Sequence, residues 1–340
     1  EIVLPGLINT HVHLAQAMLR GLVPDNIRLI DWLKKYIWPL QGNYDSSDGK
    51  ASAELCFLEM LKSGTTTFLE TLLHSRYGLD GIAESVAKSG IRAFLAKSIM
   101  DISGYGAASG IMHAGMIENR ESSLNEFEKF YKRWHGKAKG RIYVWFGLRS
   151  PGAVSNELYA ETGTLARQYG TGIVMHLAEV REDIDYFKSK RTTPSKFIHK
   201  LGLTGSKRVY VHCVWLSEDD MKLFAETGTS VSHCPSSNLK LGSGVAPVSK
   251  MLKLGVNVTL GTDGGPSNDN YDMIREMKLA TLLQKGVNED PTVMGVMDAL
   301  KMATVNGAKA LGKDKEFGSI EEGKKADLVT VNIQRPHFYP

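Results

Sequence analysis

Two histidines stand two positions apart, His11 and His13, in the run NTHVHL. In an extended strand residues i and i+2 project to one face, so both imidazoles can reach a common point. Alone the pair is a weak signal, because ten histidines in 340 residues produce such spacings by chance. Its weight grows because other ligand-type residues close other apolar runs. His176 follows GIVM, His212 follows RVYV, Asp263 lies inside LGTDGG, and Glu179 comes three residues after His176. The plain alternative is a set of packed core histidines. Read as a site, His11, His13 and His176 offer three neutral nitrogens and Asp263 a carboxylate. That donor set suits Zn²⁺ and is compatible with Fe²⁺, Mn²⁺ or Ni²⁺. A bound water with its pKa lowered toward about 7 would provide hydroxide at neutral pH. A second ion would want a bridging ligand such as a carbamylated lysine. The apolar run IYVWFGL closes at Leu148 and is followed by Arg149, and arginine cannot do that job, so one divalent ion is expected.

Residues scattered over 250 positions converge only if the elements carrying them are arranged in a ring or a sheet edge. Strand candidates are Val3–Asn9, Thr65–Glu70, Arg92–Ile99, Ile142–Leu148, Gly172–His176, Arg208–His212, Thr229–His233 and Asn257–Gly261. Between them lie amphipathic stretches with helix start signals. Ser47 and Asp48 precede Ala51–Lys62, Ser155 precedes Glu157–Gln168, and Ser217 precedes Glu218–Glu226. Gly64, Gly90, Gly170 and Gly228 follow helical stretches, where left-handed caps are expected. Eight strands alternating with helices predict an α/β fold of the (β/α)8 type, in which functional residues collect at the C-terminal strand ends. An open doubly wound sheet fits the alternation too, but would usually carry a Gly-rich phosphate loop after an early strand, and none is present. The tail GSIEEGKKADLVTVNIQ reads as turn, turn, strand. The expected organisation is a barrel over 5–317, with 1–4 and 318–340 forming part of a second, small β element.

Composition narrows the function classes. With 41 basic and 37 acidic residues the formal charge is only +4, without a block of like charge, so no nucleic-acid partner is expected. A 42% apolar and 23% charged content excludes a largely disordered chain. Three irregularly spaced cysteines make no disulfide framework, and no apolar run reaches membrane length. With no signal peptide visible, a reducing, cytoplasmic setting without membrane contact is expected. Homo-oligomerisation is left open.

The runs LPGLINTHVHL, SGTTTF, HLAE, HC, VSHCPSSNLKLGSGVAPV, LGTDGGPSNDNYDMIREMKLATLLQK and GSIEEGKKADLV resemble the metal-dependent amidohydrolase superfamily. Its S-adenosylhomocysteine/methylthioadenosine deaminase and s-triazine chlorohydrolase branch is the most similar group, and the resemblance runs from Pro5 to Leu328. It implies a (β/α)8 barrel joined to a small β-sandwich. It also implies that His11, His13, His176 and Asp263 hold one metal. Glu179 would be the acid/base that serves a ring nitrogen, and His212 would orient the attacking hydroxide. The expected activity is deamination of an aromatic N-heterocycle such as a purine or pterin. Metal-bound hydroxide would attack the amino-bearing carbon, Glu179 would protonate the adjacent nitrogen, and Asp263 would accept the water proton. Chloride or alkylamine release from a triazine-like ring is the nearest alternative, and a non-catalytic barrel acting as a binding or scaffold protein is an alternative of another class.

Candidate substrate contacts are Arg149, Trp32, Arg120 and Asn268. Adenosine-type members of the resembling group carry a histidine where Arg149 stands, whereas guanine deaminases are similar to this chain in carrying an arginine that reads a ring carbonyl. Arginine offers a planar fork of donors for a carbonyl or carboxylate. The alternative is that Arg149 pairs with Glu179 or Glu70 and only shapes the pocket. Trp32 and Trp38 suit packing as well as an aromatic wall, and Asn268 suits loop shaping. His233 reads as a loop-fixing or substrate-side residue rather than a ligand, His74 and His113 as surface residues with substrate contact the alternative, and His135 and His199 as surface or packing residues. Cys213 and Cys234 read as buried thiols.

Overall fold

The computed structural model describes residues 1–106 and 108–335. Eleven strands matter here: β1 (Ile2–Pro5), β2 (Leu7–His13), β3 (Thr65–Leu73), β4 (Arg92–Ile99), β5 (Ile142–Leu148), β6 (Ile173–Leu177), β7 (Arg208–His212), β8 (Ser230–His233), β9 (Asn257–Leu260), β10 (Asp263–Gly264) and β11 (Leu328–Val331). Strands β2 to β8 pair in parallel with their sequence neighbours, and β9 adds to β8. The chain then pairs again through β10, where Asp263 sits opposite Val12 and Gly264 opposite His13 of β2. The eighth strand is thus shared between β8 and β2, and this double pairing closes the sheet into a barrel.

Parallel strands covered on both faces read as continuous apolar runs, and every residue of β4 is buried. Helices such as Ser46–Lys62, Leu79–Ser89, Arg120–Trp134, Asn156–Gln168 and Met273–Asn288 alternate with these strands. Gly90 and Gly228 end their helices at φ 85° and 71°, where a side chain would be strained. Ser155 and Ser217 cap as expected, but the Ser46–Lys62 helix starts earlier. Asp45 is its cap, accepting from the backbone N–H groups of Ser47 and Asp48 in a box that Asp48 returns.

The first expected strand is two. At Gly6 the chain leaves antiparallel pairing with β11 for parallel pairing with β3. A side chain at Gly6 would drive into Thr66, its Cβ only 2.0 Å from Thr66 Oγ1. Strands β2 and β3 also run on to His13 and Leu73, beyond their expected ends. The two chain ends meet in the two-stranded β1–β11 sheet, with Ile2 and Val3 about half exposed. Of the expected 318–340 segment, residues 336–340 lie outside the described ones. Among the described residues no helix is long and apolar enough to cross a membrane.

Candidate active site

The barrel carries its polar cluster at the C-terminal strand ends. His11 and His13 close β2, His176 lies in β6, His212 ends β7 and Asp263 opens β10. Asp263 Oδ1 is 3.1 Å from His11 Nε2 and 3.4 Å from His13 Nε2, and His13 Nε2 is 3.2 Å from His176 Nε2. Two ligands at about 2.0–2.1 Å from a tetrahedral ion stand about 3.3 Å apart. The donor spacing therefore fits one small divalent ion shared by His11, His13, His176 and Asp263. His212 belongs to the same group of possible donors, with His11 and Asp263.

Neighbouring groups orient these donors. Thr71 Oγ1 lies 2.5 Å from His11 Nδ1, leaving Nε2 to face Asp263. The Ser237 hydroxyl donates to Asp263 Oδ2 at 2.5 Å, leaving Oδ1 to the histidines. His212 Nδ1 is 2.9 Å from Asn238 Oδ1, which can only accept there, so the ring presents Nε2 as an acceptor. Both His212 and Asp263 adopt left-handed backbone, at φ 68° and 64°. Such strain costs on the order of 1–3 kcal/mol per residue and persists where the surrounding fold overrides it.

Burial is the chief force on protonation. It lowers the pKa of His11, His176 and His212, and that of His13 to about 3, so all four rings are neutral and ligand-competent at pH 7. Burial pushes Asp263 the other way, yet the His11 hydrogen bond and the adjacent rings outweigh it and keep the carboxylate ionised. Glu179 has no such support. Burial first, then the charges of Asp263 and Asp183, raise its pKa well above the usual carboxylate range and favour its protonated form. Two carboxyl groups in one site are thereby held in opposite states.

A cleft opens over this cluster, with His13, His176, Glu179, His212 and Asp263 in its lining. Its opposite wall is the Leu29–Gly42 segment, helical with a π turn over Leu33–Ile37, which contributes Trp32, Trp38 and Gln41. Trp32 thus lies both in the core and on the cleft wall. Arg149 follows β5 into the lining, buried, its Nε donating to Ser98 Oγ at 3.1 Å. Its Nη2 has no partner among the described residues, and no carboxylate pairs with it, against the alternative of a Glu179 or Glu70 ion pair. Glu70 instead accepts from the N–H groups of Leu14 and Leu72, 4.0 Å from His13 Nδ1.

Two expected contacts are not brought to the cleft. Arg120 opens the Arg120–Trp134 helix at the surface and pairs with Glu161 at 2.7 Å. Asn268 is buried, donating to the Thr262 carbonyl and to Glu276, so it holds the loop after Asp263. His74 is no surface residue: it is buried with Nε2 3.8 Å from Glu118. His113 is half-buried and accepts from the Gly115 N–H. His233 is fully buried with neither ring nitrogen hydrogen-bonded among the described residues. His135 accepts from the Val144 N–H in a half-buried packing position, and His199 lies at the surface beside Thr204. Cys213 and Cys234 are buried free thiols. Sequence reasoning missed Thr71, Ser237, Asn238, Gln41, Tyr77 and Tyr105. Ser237 and Asn238 lie in the PSSN run already singled out, so proximity to His233 was a usable signal; the others had none.

The amidohydrolase family model matches residues 2–339. A 5-methylthioadenosine/S-adenosylhomocysteine deaminase of Moorella thermoacetica is 39% identical over the whole chain, which spans 75% of that protein. An adenosine deaminase from Xanthomonas campestris, solved with bound zinc, superimposes with a TM-score of 0.90 at 30% identity, over 99% of this chain and 74% of its own. Atrazine chlorohydrolase from Arthrobacter aurescens TC1, complexed with zinc, gives 0.87 at 25% identity, over 96% and 75%.

Proposed function

The chain belongs to the amidohydrolase family, and from that premise we propose that it deaminates an aminated aromatic N-heterocycle, of purine, pterin or related ring type, with one divalent ion. His11, His13, His176 and Asp263 would hold that ion, Zn²⁺ in our reading, which the zinc-bound relatives support. When bound, the ion supplies an acidified water and positive charge beside the reacting carbon. Asp263, ionised at neutral pH, takes the proton that water gives up as it attacks the amino-bearing carbon. Glu179, neutral at the same pH, passes its proton to the adjacent ring nitrogen. His212 faces the reacting centre with Nε2 and orients the attacking oxygen. Asp263 then returns its proton to the amino nitrogen, which leaves as ammonia, while the new hydroxyl gives its proton back to Glu179 and the ring carbon becomes a carbonyl.

The observation that carries this reading is geometric: one cleft is lined by the donors His13, His176 and Asp263 together with Glu179 and His212, and His212 Nε2 stands 3.7 Å from Glu179 Oε2. Arg149 adds substrate preference. Its unpartnered Nη2 in the cleft lining favours a ring bearing an oxo group or a carboxylate. The test is ammonia release from a panel of aminopurines, aminopterins and aminotriazines, with a chlorinated and an alkylamino triazine beside them. Release from at least one oxo-substituted ring is expected. Chloride or alkylamine release without ammonia would replace this reading with the chlorohydrolase one, favoured by the likeness to the triazine enzyme. Neither turnover nor metal uptake would leave a binding barrel.

A further inference from the structure

We propose that Lys97 is a positioning residue that keeps Arg149 free for substrate by holding Glu118 in an ion pair of its own. The proposal rests on the reading of Arg149 as a substrate contact. Lys97 lies in β4, fully buried, with Nζ 2.6 Å from Glu118 Oε2 and 2.7 Å from the Ser98 carbonyl oxygen. The next residue, Ser98, receives the Arg149 Nε hydrogen bond, so the two cations are anchored at adjacent positions of one strand. Glu118 is buried as well; burial lowers the Arg149 pKa, and the charges of Tyr77 and then Glu118 oppose that shift. His74 on its other side has its pKa lowered to about 3, chiefly by burial, and adds no charge.

The count of charges is therefore two cations against one carboxylate. A buried guanidinium beside a carboxylate ordinarily closes into a two-pronged pair, because an unpaired buried charge is costly. Here the lysine ammonium occupies that carboxylate, and the positive charge left over appears at Arg149, in the cleft lining. An acceptor-bearing substrate would meet a donor that has no protein partner to give up. Lys97 itself does not line the cleft, so its effect on substrate would run through Glu118 and Arg149.

A crystal structure of Lys97→Met tests the first step without any substrate. The Glu118 carboxylate should turn onto Arg149 and accept from its guanidinium; an Arg149 still free of Glu118 would overturn the proposal. Kinetics test the second step, with guanine as the oxo-ring probe and 2-aminopurine as the matched ring lacking the oxo group. Lys97→Met should raise KM for guanine about tenfold or more, the scale of one charge-assisted hydrogen bond. KM for 2-aminopurine and metal content should be unchanged. Lys97→Met with Glu118→Gln removes both partners and should return KM for guanine close to wild type. This double variant also serves if the single one does not fold. Should it bind guanine as poorly as Arg149→Met, or should both rings weaken equally, Lys97 has only a structural role. If the wild-type enzyme turns over neither ring, the substrate reading fails, while the Lys97→Met structure still decides whether Lys97 keeps Glu118 from Arg149.

Discussion

His212 Nε2 stands 3.7 Å from Glu179 Oε2, with the other ring nitrogen fixed on Asn238. His212 ends β7 while Glu179 lies in the loop after β6, and burial shifts the acid's pKa up and the base's down, so that it favours the neutral form of both. A neutral carboxyl facing a neutral imidazole leaves a mobile proton on Glu179 without trapping it in a salt bridge. This is the state a general acid needs before substrate arrives.

Glu179→Gln keeps the shape and removes the proton. We expect kcat to fall by about 10²–10⁴-fold, with metal content unchanged, measured by steady-state ammonia release and metal analysis. Wild-type turnover would take Glu179 out of the reaction.

The pH profile follows with its sign. Glu179 is needed as the acid, and its pKa is raised, so the acid form persists above the usual carboxylate range and is lost as pH rises through the raised value. The kcat/KM profile should therefore carry an alkaline limb that falls with pH. Suppressing general-acid transfer in Glu179→Gln should remove that limb, and a limb unchanged in the variant would assign it to another group.

Chelation should abolish turnover, and added Zn²⁺ or Mn²⁺ should restore it, with about one equivalent of metal per chain, as the single four-donor set implies. Two tightly held ions per active chain would contradict the one-ion reading. Asp263→Ala should lower both metal affinity and rate, because one carboxylate has both duties.

Gly147→Ala tests the packing behind the donors. A Cβ at Gly147 would stand 2.1 Å from the Thr71 carbonyl oxygen, on the residue whose hydroxyl orients His11. Overpacking of this kind costs about 1–3 kcal/mol, and disturbing a ligand's support lowers metal affinity about 10–100-fold. Thermal unfolding and chelator competition should show both losses together. A variant with weaker folding but intact metal affinity would separate Thr71 from the donor set.

Arg149→Met should raise KM for an oxo-substituted aminated ring much more than for an adenine-type ring, since the methionine retains bulk but offers no donor. Efficient deamination of adenosine derivatives by the wild-type enzyme, with every oxo ring ignored, would sink that preference.

Strand positions β4, β5 and β7 were legible to the residue, because a strand buried on both faces is written locally as an apolar run. The same locality made His11, His13, His176, Glu179, His212 and Asp263 visible: each closes or follows such a run, and parallel strands in a barrel bring those ends to one rim. Other properties depend on approach through space. Arg120 and Arg149 look alike as letters, yet Arg120 finds Glu161 at the surface while Arg149 is buried with its Nη2 unpartnered. Lys97 meets Glu118, 21 residues further along the chain, in the same way, by approach through space. Asn268 was drawn inward to Glu276, and His212 and Asp263 were bent into left-handed backbone, by contacts that no local pattern encodes. The order of residues determined which elements form and which donors stand at their ends. Only the closed barrel decided which charges are paired, which are buried alone, and so which carboxyl keeps its proton.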